Sequence, residues 1–303
     1  MQGLWRKDTD TALLKKTDRS IKKFIFTSGR HAIMHTLRTM CREDCIAVAE
    51  YSSQCVVNAV GRYTTPIPAK EVVENNINVR GIMVYEQWGW PFSDVVLDEV
   101  LNKYERVIFD CVDSPDALIR YKDMNSVVVS LSKCLGLKGG GLLLEKKNLQ
   151  ERPCSGDENI DMSLVDNQGY IHMINSHMNT VKHIGDIEQT DVLFELDKES
   201  RVRNNNLALF ANSELSKNWP AWMHESLDKC YAGIVPLFAG MEKNKMIDIT
   251  SKINKTMNIR SEIYNFNWSG SPLLFDYRPC IAFPIHSDIE NMQEKIKILE
   301  KIK

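Results

Sequence analysis

The chain has 303 residues, of which 43% are hydrophobic and 26% are charged, and its formal net charge at pH 7 is −2. A chain of this length can bury a full core without disulfide bonds, as one large domain with a lobe or as two domains. The balanced charge argues against a nucleic-acid partner, and the longest apolar runs are far shorter than the ~18–20 residues that span a bilayer. We therefore expect neither nucleic acid nor a membrane as a partner.

The eight cysteines are scattered without CxxC pairs, and the N-terminal segment Met1–Lys7 lacks the apolar core of a signal peptide. Both observations favour a cytoplasmic location. His31 and His35, like Cys41 and Cys45, lie four residues apart. No further ligand at zinc-like spacing follows either pair, so we expect no metal site.

The first half of the chain alternates short apolar runs with amphipathic segments. Helical spacing of apolar residues occurs in Ala32–Met40 and in Val95–Tyr104. The predicted strands are Lys23–Phe26, Cys45–Ala49, Gly81–Tyr85, Arg106–Asp110, Ser126–Leu131 and Gly141–Leu144. Strands that alternate with helices predict a doubly wound α/β domain with a mostly parallel sheet, whose ligands bind at the carboxyl ends of the strands.

The pattern changes from about residue 151. Glu151–Asn179 is polar, has no strand period and is expected to cross the surface, whereas 192–211 has helical spacing and many charges, which predicts a solvent-exposed or interface helix. A smaller α/β C-terminal lobe is predicted from three strand-like runs and a helix that begins at Ser287. The runs are Ile234–Phe238, Ile263–Phe266 and Cys280–Pro284. We predict a large domain at 1–200 and a small domain at 201–303.

The most informative segment is 127–141, Val-Val-Val-Ser-Leu-Ser-Lys-Cys-Leu-Gly-Leu-Lys-Gly-Gly-Gly. A β-branched run leads to Lys133, with Ser130 three residues before it and glycines after it. A lysine amine at the end of a buried strand, beside an anion-binding turn, can form a Schiff base with an aldehyde such as pyridoxal phosphate (PLP). The alternative interpretation of this segment is a strand followed by a basic, glycine-rich turn without catalytic function, and such turns are common.

Two earlier segments carry the other groups that such a cofactor needs. Phe24–Arg30 runs from a strand through Thr27 and Ser28 into a helix, whose free N–H groups could bind a phosphate; a plain helix cap fits equally well. Val107–Asp110 is an apolar strand that ends in a carboxylate, which a protonated pyridine nitrogen could pair; a strand-end cap is the alternative. Because these weak features occur in the required order, together they favour a PLP site.

These motifs resemble those of a known family. Thr-Ser-Gly-Arg at 27–30, Ile-Phe-Asp at 108–110 and Ser-Leu-Ser-Lys-x-Leu-Gly-Leu at 130–137 resemble the PLP enzymes of the aspartate aminotransferase superfamily, fold type I. Within that superfamily the chain looks most like the DegT/DnrJ/EryC1/StrS sugar aminotransferases, at 26–60, 87–89 and 195–206. The resemblance implies a PLP-binding large domain and a smaller C-terminal domain.

The resemblance also implies roles for individual residues. Lys133 would be the internal aldimine lysine, Asp110 the partner of the pyridine nitrogen, and the phosphate would be bound by Ser28, Gly29, Arg30 and Ser130. The expected activity is PLP-dependent transamination between a small amino donor and a keto-sugar nucleotide or a similar carbonyl acceptor, in a homodimer. The same groups also serve lyases, racemases and decarboxylases. A non-catalytic relative that retains the scaffold is a further alternative.

Two residues depart from the family pattern, and two others are candidate substrate contacts. Ser53 stands where the family offers an aromatic ring to the cofactor, and Asp113 stands where Gln or His commonly lies near the phenolic oxygen. We keep Asp113 as a weaker cofactor-binding candidate. Trp88 could line a substrate pocket or belong to the core. Arg278 could bind a donor carboxylate with both arms of its guanidinium, or lie on the surface.

Overall fold

The structure is a computed structural model, which describes residues 23–26, 28–122, 124, 126–136, 140–145 and 189–302. The predictions for Thr27 and for the polar segment Glu151–Asn179 lie outside the described residues. No helix among the described residues is long and apolar enough to cross a membrane.

The larger sheet has seven strands in the order β1-β7-β6-β5-β4-β2-β3. Strands β6, β5, β4, β2 and β3 are parallel, while β7 is antiparallel to both β6 and β1. The strand bounds are β1 Lys23–Phe26, β2 Cys45–Val48, β3 Thr65–Pro68, β4 Gly81–Tyr85, β5 Arg106–Asp110, β6 Ser126–Ser130 and β7 Gly141–Glu145. The predicted mostly parallel sheet is confirmed. Strand β3 escaped prediction because two of its four residues are proline, which only an edge strand tolerates.

Helices cover both faces of this sheet. On β5, Ile108 packs into a core with helix residues Ile33 and Leu37, whereas Val107 and Phe109 pack into the core on the opposite face. The helices are α1 Gly29–Leu37, α2 Gln54–Val60, α3 Ala69–Glu74, α4 Asp94–Lys103, α5 Ala117–Arg120, α6 Leu131–Leu135, α7 Gln189–Ala211, α8 Ala221–Glu225, α9 Lys243–Met257 and α10 Met292–Ile302. The alternation of strand side chains between two helix-covered faces is the doubly wound arrangement.

The C-terminal part contains a three-stranded antiparallel sheet in the order β8-β10-β9. Its strands are β8 Ile234–Leu237, β9 Glu262–Asn267 and β10 Tyr277–Pro284. Helices α9 and α10 contribute buried apolar residues to its core. The last helix begins at Met292 and not at the predicted Ser287, because Asn291 has a left-handed φ of 53° that interrupts helical geometry.

Helix α7 belongs to both cores. Val192 near its start packs with the larger sheet, and Phe210 near its end packs with the C-terminal sheet. The sequence predicts a solvent-exposed or interface helix here; several of its charged residues are exposed, but Glu199 and Arg203 are buried and pair with each other. Their opposite charges at i and i+4 make burial tolerable. The predicted domain boundary at residue 200 falls within α7 and stays a prediction.

Candidate active site

The carboxyl ends of three neighbouring parallel strands bring polar side chains to one edge of the larger sheet. Tyr85 ends β4, Asp110 ends β5 and Ser130 ends β6. Asp113 follows β5 by three residues, and Lys133 lies in the short helix α6 that follows β6. The Lys133 Nζ atom lies 3.2 Å from the Asp113 Oδ1 atom. Two predicted site residues that are 20 positions apart therefore form an ion pair here.

Lys133 is a cation held by carboxylates. Burial alone would lower the pKa of Lys133, but the negative charges of Asp113 and Asp110 outweigh it and hold that pKa above its ordinary value. Asp113 is 1% exposed, whereas about a third of the Lys133 side chain, 34%, remains exposed. The Lys133 amine is thus paired with a buried carboxylate, while part of its side chain remains exposed.

Tyr85 fixes the other side of Asp113. Its phenol Oη donates a 2.6 Å hydrogen bond to the Asp113 Oδ2 atom. Burial raises the pKa of Tyr85 well above its ordinary value, and the Asp113 charge raises it further, so the phenol keeps its proton at neutral pH. Each oxygen of the Asp113 carboxylate therefore faces a different group, one the phenol and the other the Lys133 amine.

Asp110 has a buried carboxyl group with one unpartnered acceptor oxygen. It is 3% exposed, and its Oδ1 atom has no hydrogen-bond partner among the described residues. Burial raises the pKa of Asp110 to about 7; the Lys133 charge opposes this rise and the Asp113 charge adds to it. An unpartnered buried carboxylate oxygen is unfavourable unless a cationic donor lies opposite it. Asp110 is therefore suited to a ligand with a protonated ring nitrogen.

The N-terminus of α1 lies at the same edge. Ser28 caps this helix, its Oγ accepting a 3.3 Å hydrogen bond from the His31 backbone N–H. A β-bridge joins Ser28 to Gly140. A Cβ atom on Gly141 would lie 2.5 Å from backbone atoms of Ser28 and Gly29, so glycine is required for this close approach. The glycines after Lys133 thus let two backbone segments meet beside a helix N-terminus.

Ser130 and Arg30 lie beside this helix start. Ser130 is buried, its Oγ lies 2.9 Å from the Ser132 Oγ, and a Cβ atom on Gly29 would lie 3.6 Å from the Ser130 Cβ. Arg30 is half-buried in the first turn of α1. The first turn of a helix has free N–H groups and a partial positive charge, which favour an anion such as phosphate.

Comparison with known proteins decides the family. Residues 15–270 match the family model described as "Putative PLP-dependent aminotransferase". The chain belongs to this PLP-dependent aminotransferase family. Its cofactor is pyridoxal 5'-phosphate, and the sequence prediction of that cofactor is confirmed. No curated protein matches the chain.

Solved structures of PLP fold type I enzymes share the architecture. "Putative sugar aminotransferase Spr1654" from Streptococcus pneumoniae, in its PLP form, has a TM-score of 0.56 at 13% identity and covers 99% of this chain and 98% of its own. DesV from S. venezuelae has a TM-score of 0.55 at 14% identity, with 95% and 84% covered. The 8-amino-7-oxononanoate synthase of Francisella tularensis has a TM-score of 0.54 at 14% identity, with 92% and 80% covered. At such identities the likeness shows the fold.

PLP fits the residues that this aminotransferase places at the sheet edge. The buried, unpartnered Asp110 oxygen matches a protonated ring nitrogen, and the amine of the partly exposed Lys133 side chain matches an aldehyde carbon. The start of α1, packed against Gly141, matches a phosphate. Within the described residues, by contrast, no group of three or more His, Cys, Asp or Glu side chains could hold a metal ion.

The two predicted substrate residues have different surroundings. Trp88 is 3% exposed and stacks on Phe266 with ring centroids 5.0 Å apart, inside the C-terminal core. Arg278 is exposed on β10, where its guanidinium donates two hydrogen bonds of 2.9 and 2.7 Å to the Asp276 carboxylate. Their roles in substrate binding stay predictions. A donor carboxylate at Arg278 would share the guanidinium with Asp276 or compete with it.

An aromatic pocket lies between the strand ends of the larger sheet and the C-terminal sheet. Gln87, which follows β4, connects the larger sheet to β9 of the C-terminal sheet. Its side chain donates to the Asn265 carbonyl at 2.7 Å and accepts from the Asn267 N–H at 3.1 Å. The aromatic residues that line the pocket are Tyr85, Trp90, Phe92, Trp222, Phe266 and Tyr277. Since Tyr85 also binds Asp113, the pocket adjoins the Lys133 ion pair.

A buried polar cluster next to the site was missed by sequence reasoning. Glu86, fully buried after β4, accepts hydrogen bonds from the Ser114 Oγ at 2.7 Å, from an Arg120 Nη at 2.9 Å and from the Tyr121 phenol. Arg120 also forms two 2.8 Å hydrogen bonds to Asp116. Glu86 and Ser114 adjoin Tyr85 and Asp113 in sequence, so the cluster fixes both loops. The available signal was an acidic residue directly after an apolar strand.

Proposed function

We propose that this enzyme transfers an amino group from a small amino donor to a keto-sugar nucleotide or a similar small carbonyl acceptor, with Lys133 as the residue that bonds covalently to PLP. The observation that carries the proposal is the Lys133 amine 3.2 Å from Asp113, near the buried Asp110 carboxylate at the end of β5. The sugar aminotransferase among the solved structures of this fold supports the acceptor class.

The chain's own residues would divide the work as follows. Bound PLP supplies an electron sink for the carbanion that forms when the donor loses its α-proton. Asp110 would hold the proton on the ring nitrogen, and the start of α1 with Ser28, Gly29, Arg30 and Ser130 would bind the phosphate. The Lys133 Nζ, once released by the donor amine, would take the proton from the donor α-carbon and deliver it to the carbon of the cofactor's former aldehyde group.

Asp113 and Tyr85 would control the proton on Lys133. The Asp113 carboxylate favours the cationic amine, whereas an attacking or proton-accepting amine must be neutral. The 2.6 Å hydrogen bond from Tyr85 satisfies one Asp113 oxygen. A neutral phenol there weakens the attraction between Asp113 and the Lys133 amine less than a second cation would.

Absorbance spectroscopy tests the covalent role. Protein purified with PLP should be yellow, and borohydride followed by peptide mass spectrometry should find the reduced cofactor on Lys133. Lys133→Ala should abolish the visible band, whereas Lys103→Ala, a change in an exposed lysine of α4, should retain it. A colourless wild-type protein, or reduced cofactor on another lysine, would refute the proposal.

The reaction type needs a separate measurement. Addition of glutamate or another amino donor to the yellow protein should convert the bound cofactor to pyridoxamine phosphate, which identifies transamination. Release of ammonia, carbon dioxide or a racemised amino acid instead would identify a lyase, decarboxylase or racemase. No conversion with a broad set of donors, in protein that binds PLP through Lys133, would favour a non-catalytic relative.

We propose further that the enzyme is a cytoplasmic homodimer with a PLP-binding domain at 1–200 and a small domain at 201–303. The scattered cysteines and the family resemblance support this arrangement. Light scattering of the purified protein should give twice the 34.8 kDa chain mass.

A further inference from the structure

One buried guanidinium contacts the backbone of both segments that carry the ion pair. Arg203 of α7 is 2% exposed and donates from Nη1 to the Asp113 carbonyl at 2.7 Å. Its Nη2 lies 3.5 Å from the carbonyls of Lys133 and Cys134. Asp113 follows β5 and Lys133 lies in α6 after β6, so a single side chain links the two segments in addition to the main-chain hydrogen bonds from Cys111 to Val128 and from Ser130 to Val112.

The Arg203 guanidinium also contacts Glu199 and the C-terminal part. Its Nε donates to the Glu199 Oε1 atom at 2.7 Å, and Glu199 also accepts a 3.4 Å hydrogen bond from the Ser287 N–H of the C-terminal part. A Cβ atom on Gly233 would lie 2.8 Å from the Arg203 Nη1 atom, so the Gly233 backbone packs directly against the guanidinium. Gly233 lies just before β8. Arg203 is therefore wedged between the sheet edge and the start of the C-terminal sheet.

Arginine is suited to this place for a physical reason. Its planar fork presents donors in fixed directions, so carbonyl acceptors on different segments are held at fixed relative positions, which a lysine ammonium cannot reproduce. Because its acceptors are main-chain atoms, Arg203 acts on the positions of Asp113 and Lys133 themselves. The Glu199 charge compensates the buried cation, so the whole assembly is rigid.

We propose that Arg203 is a positioning residue that sets the spacing of the Lys133 amine and the Asp113 carboxylate, and that Gly233 transmits the position of the C-terminal sheet to it. This inference rests on the proposed function of Lys133. The hydrogen bonds of Arg203 to these two segments go to main-chain carbonyls, and the Asp113 charge also raises the pKa of Arg203, so Arg203 acts on the site through the backbone and through its charge.

The test compares two conservative changes in buried arginines. Arg203→Lys should weaken PLP affinity roughly tenfold or more and should shift the pH at which the visible cofactor band titrates, because the amine and carboxylate move apart. Arg106→Lys is the matched control: Arg106 is also buried and donates to the backbone carbonyl of Thr36, but it lies at the opposite end of β5. It should lower the melting temperature and leave affinity and pH titration unchanged.

A second variant keeps the test valid even if the Arg203→Lys protein does not fold. Gly233→Ala pushes the guanidinium without altering it and should shift the same pH titration in the same direction as Arg203→Lys. Gly61→Ala, at the end of α2 where the backbone φ is −64°, is the control and should shift nothing. Wild-type pH titration and affinity in both Arg203→Lys and Gly233→Ala, with only lower melting temperatures, would overturn the inference.

Reductive methylation of Lys133 in protein without cofactor separates the two proposals. The pH dependence of this labelling, read by mass spectrometry, should differ between Arg203→Lys and wild type and should be equal in Arg106→Lys and wild type. This readout needs no PLP. If wild-type protein takes up no PLP while the labelling still differs, the proposed function fails and the positioning role stands. If PLP binds and the labelling is the same in all three proteins, the positioning role fails alone.

Discussion

The Tyr85 phenol and the Asp113 carboxylate, 28 positions apart in sequence, are joined by a 2.6 Å hydrogen bond at the edge of the sheet. Asp113 uses its other oxygen for Lys133. The phenol therefore orients a buried carboxylate towards the amine. This relationship explains how a buried acidic residue is held beside the Lys133 amine.

Tyr85→Phe should destabilise the protein by about 1–3 kcal/mol, because Asp113 would lose a donor in a buried place. Urea denaturation of the protein without PLP measures this change. Tyr104→Phe is the matched control, since Tyr104 is also buried but its phenol has no hydrogen-bond partner among the described residues. Equal stability losses in the two variants would show that the Tyr85 bond does not contribute.

Asp113→Asn should make Lys133 easier to deprotonate. With the carboxylate gone, burial is opposed mainly by Asp110, so the pKa of Lys133 falls. In wild type the raised pKa adds stability that is complete below the unfolded-state pKa of lysine and is lost as pH rises through the folded-state pKa. In the variant this stabilising contribution is smaller. Stopped-flow uptake of PLP against pH should show the rate rising at lower pH than in wild type. Asp94→Asn, an exposed change on α4, should leave the profile in place.

Asp110→Asn should change the pH dependence of stability. Burial raises the pKa of Asp110 to about 7, far above its unfolded value of 3.8. The folded protein therefore binds more protons than the unfolded chain between those values, and stability without PLP falls as pH rises through that window.

The asparagine variant should lose that decline and gain a few kcal/mol over wild type at pH 8 relative to pH 4, measured by denaturation at both values. It should also lose activity, because an amide does not hold the ring-nitrogen proton as a carboxylate does. Asp98→Asn, on the exposed face of α4, should follow wild type. A parallel pH dependence of Asp110→Asn and wild type would contradict the assigned shift.

Gly141→Ala should weaken phosphate binding selectively. Its Cβ would lie 2.5 Å from the backbone of Ser28 and Gly29, so the start of α1 must move. We expect affinity for PLP to fall roughly tenfold or more while affinity for pyridoxal, which has no phosphate, changes little. Equal losses for the two aldehydes would mean that α1 does not bind the phosphate.

Much of the fold was readable from local patterns. The apolar runs predicted six of the seven strands of the larger sheet, because burial on both faces leaves continuous apolar segments. The proline-rich β3 and the late start of α10 were missed, since an edge strand and a left-handed Asn291 depend on neighbours that a local pattern does not show. The helix pattern of α7 was correct, but the burial of Glu199 and Arg203 was not.

The sequence by itself determined the elements and the candidates Lys133 and Asp110, because a polar residue at the end of an apolar strand is a local feature. Only the tertiary structure decided that Tyr85, Asp113 and Lys133 meet, and that Arg203 lies beneath them. These residues are far apart in sequence, and their distances depend on strand order and register. The energy of a buried ion pair or hydrogen bond depends on those distances, so the chemistry of the lysine is a property of the fold.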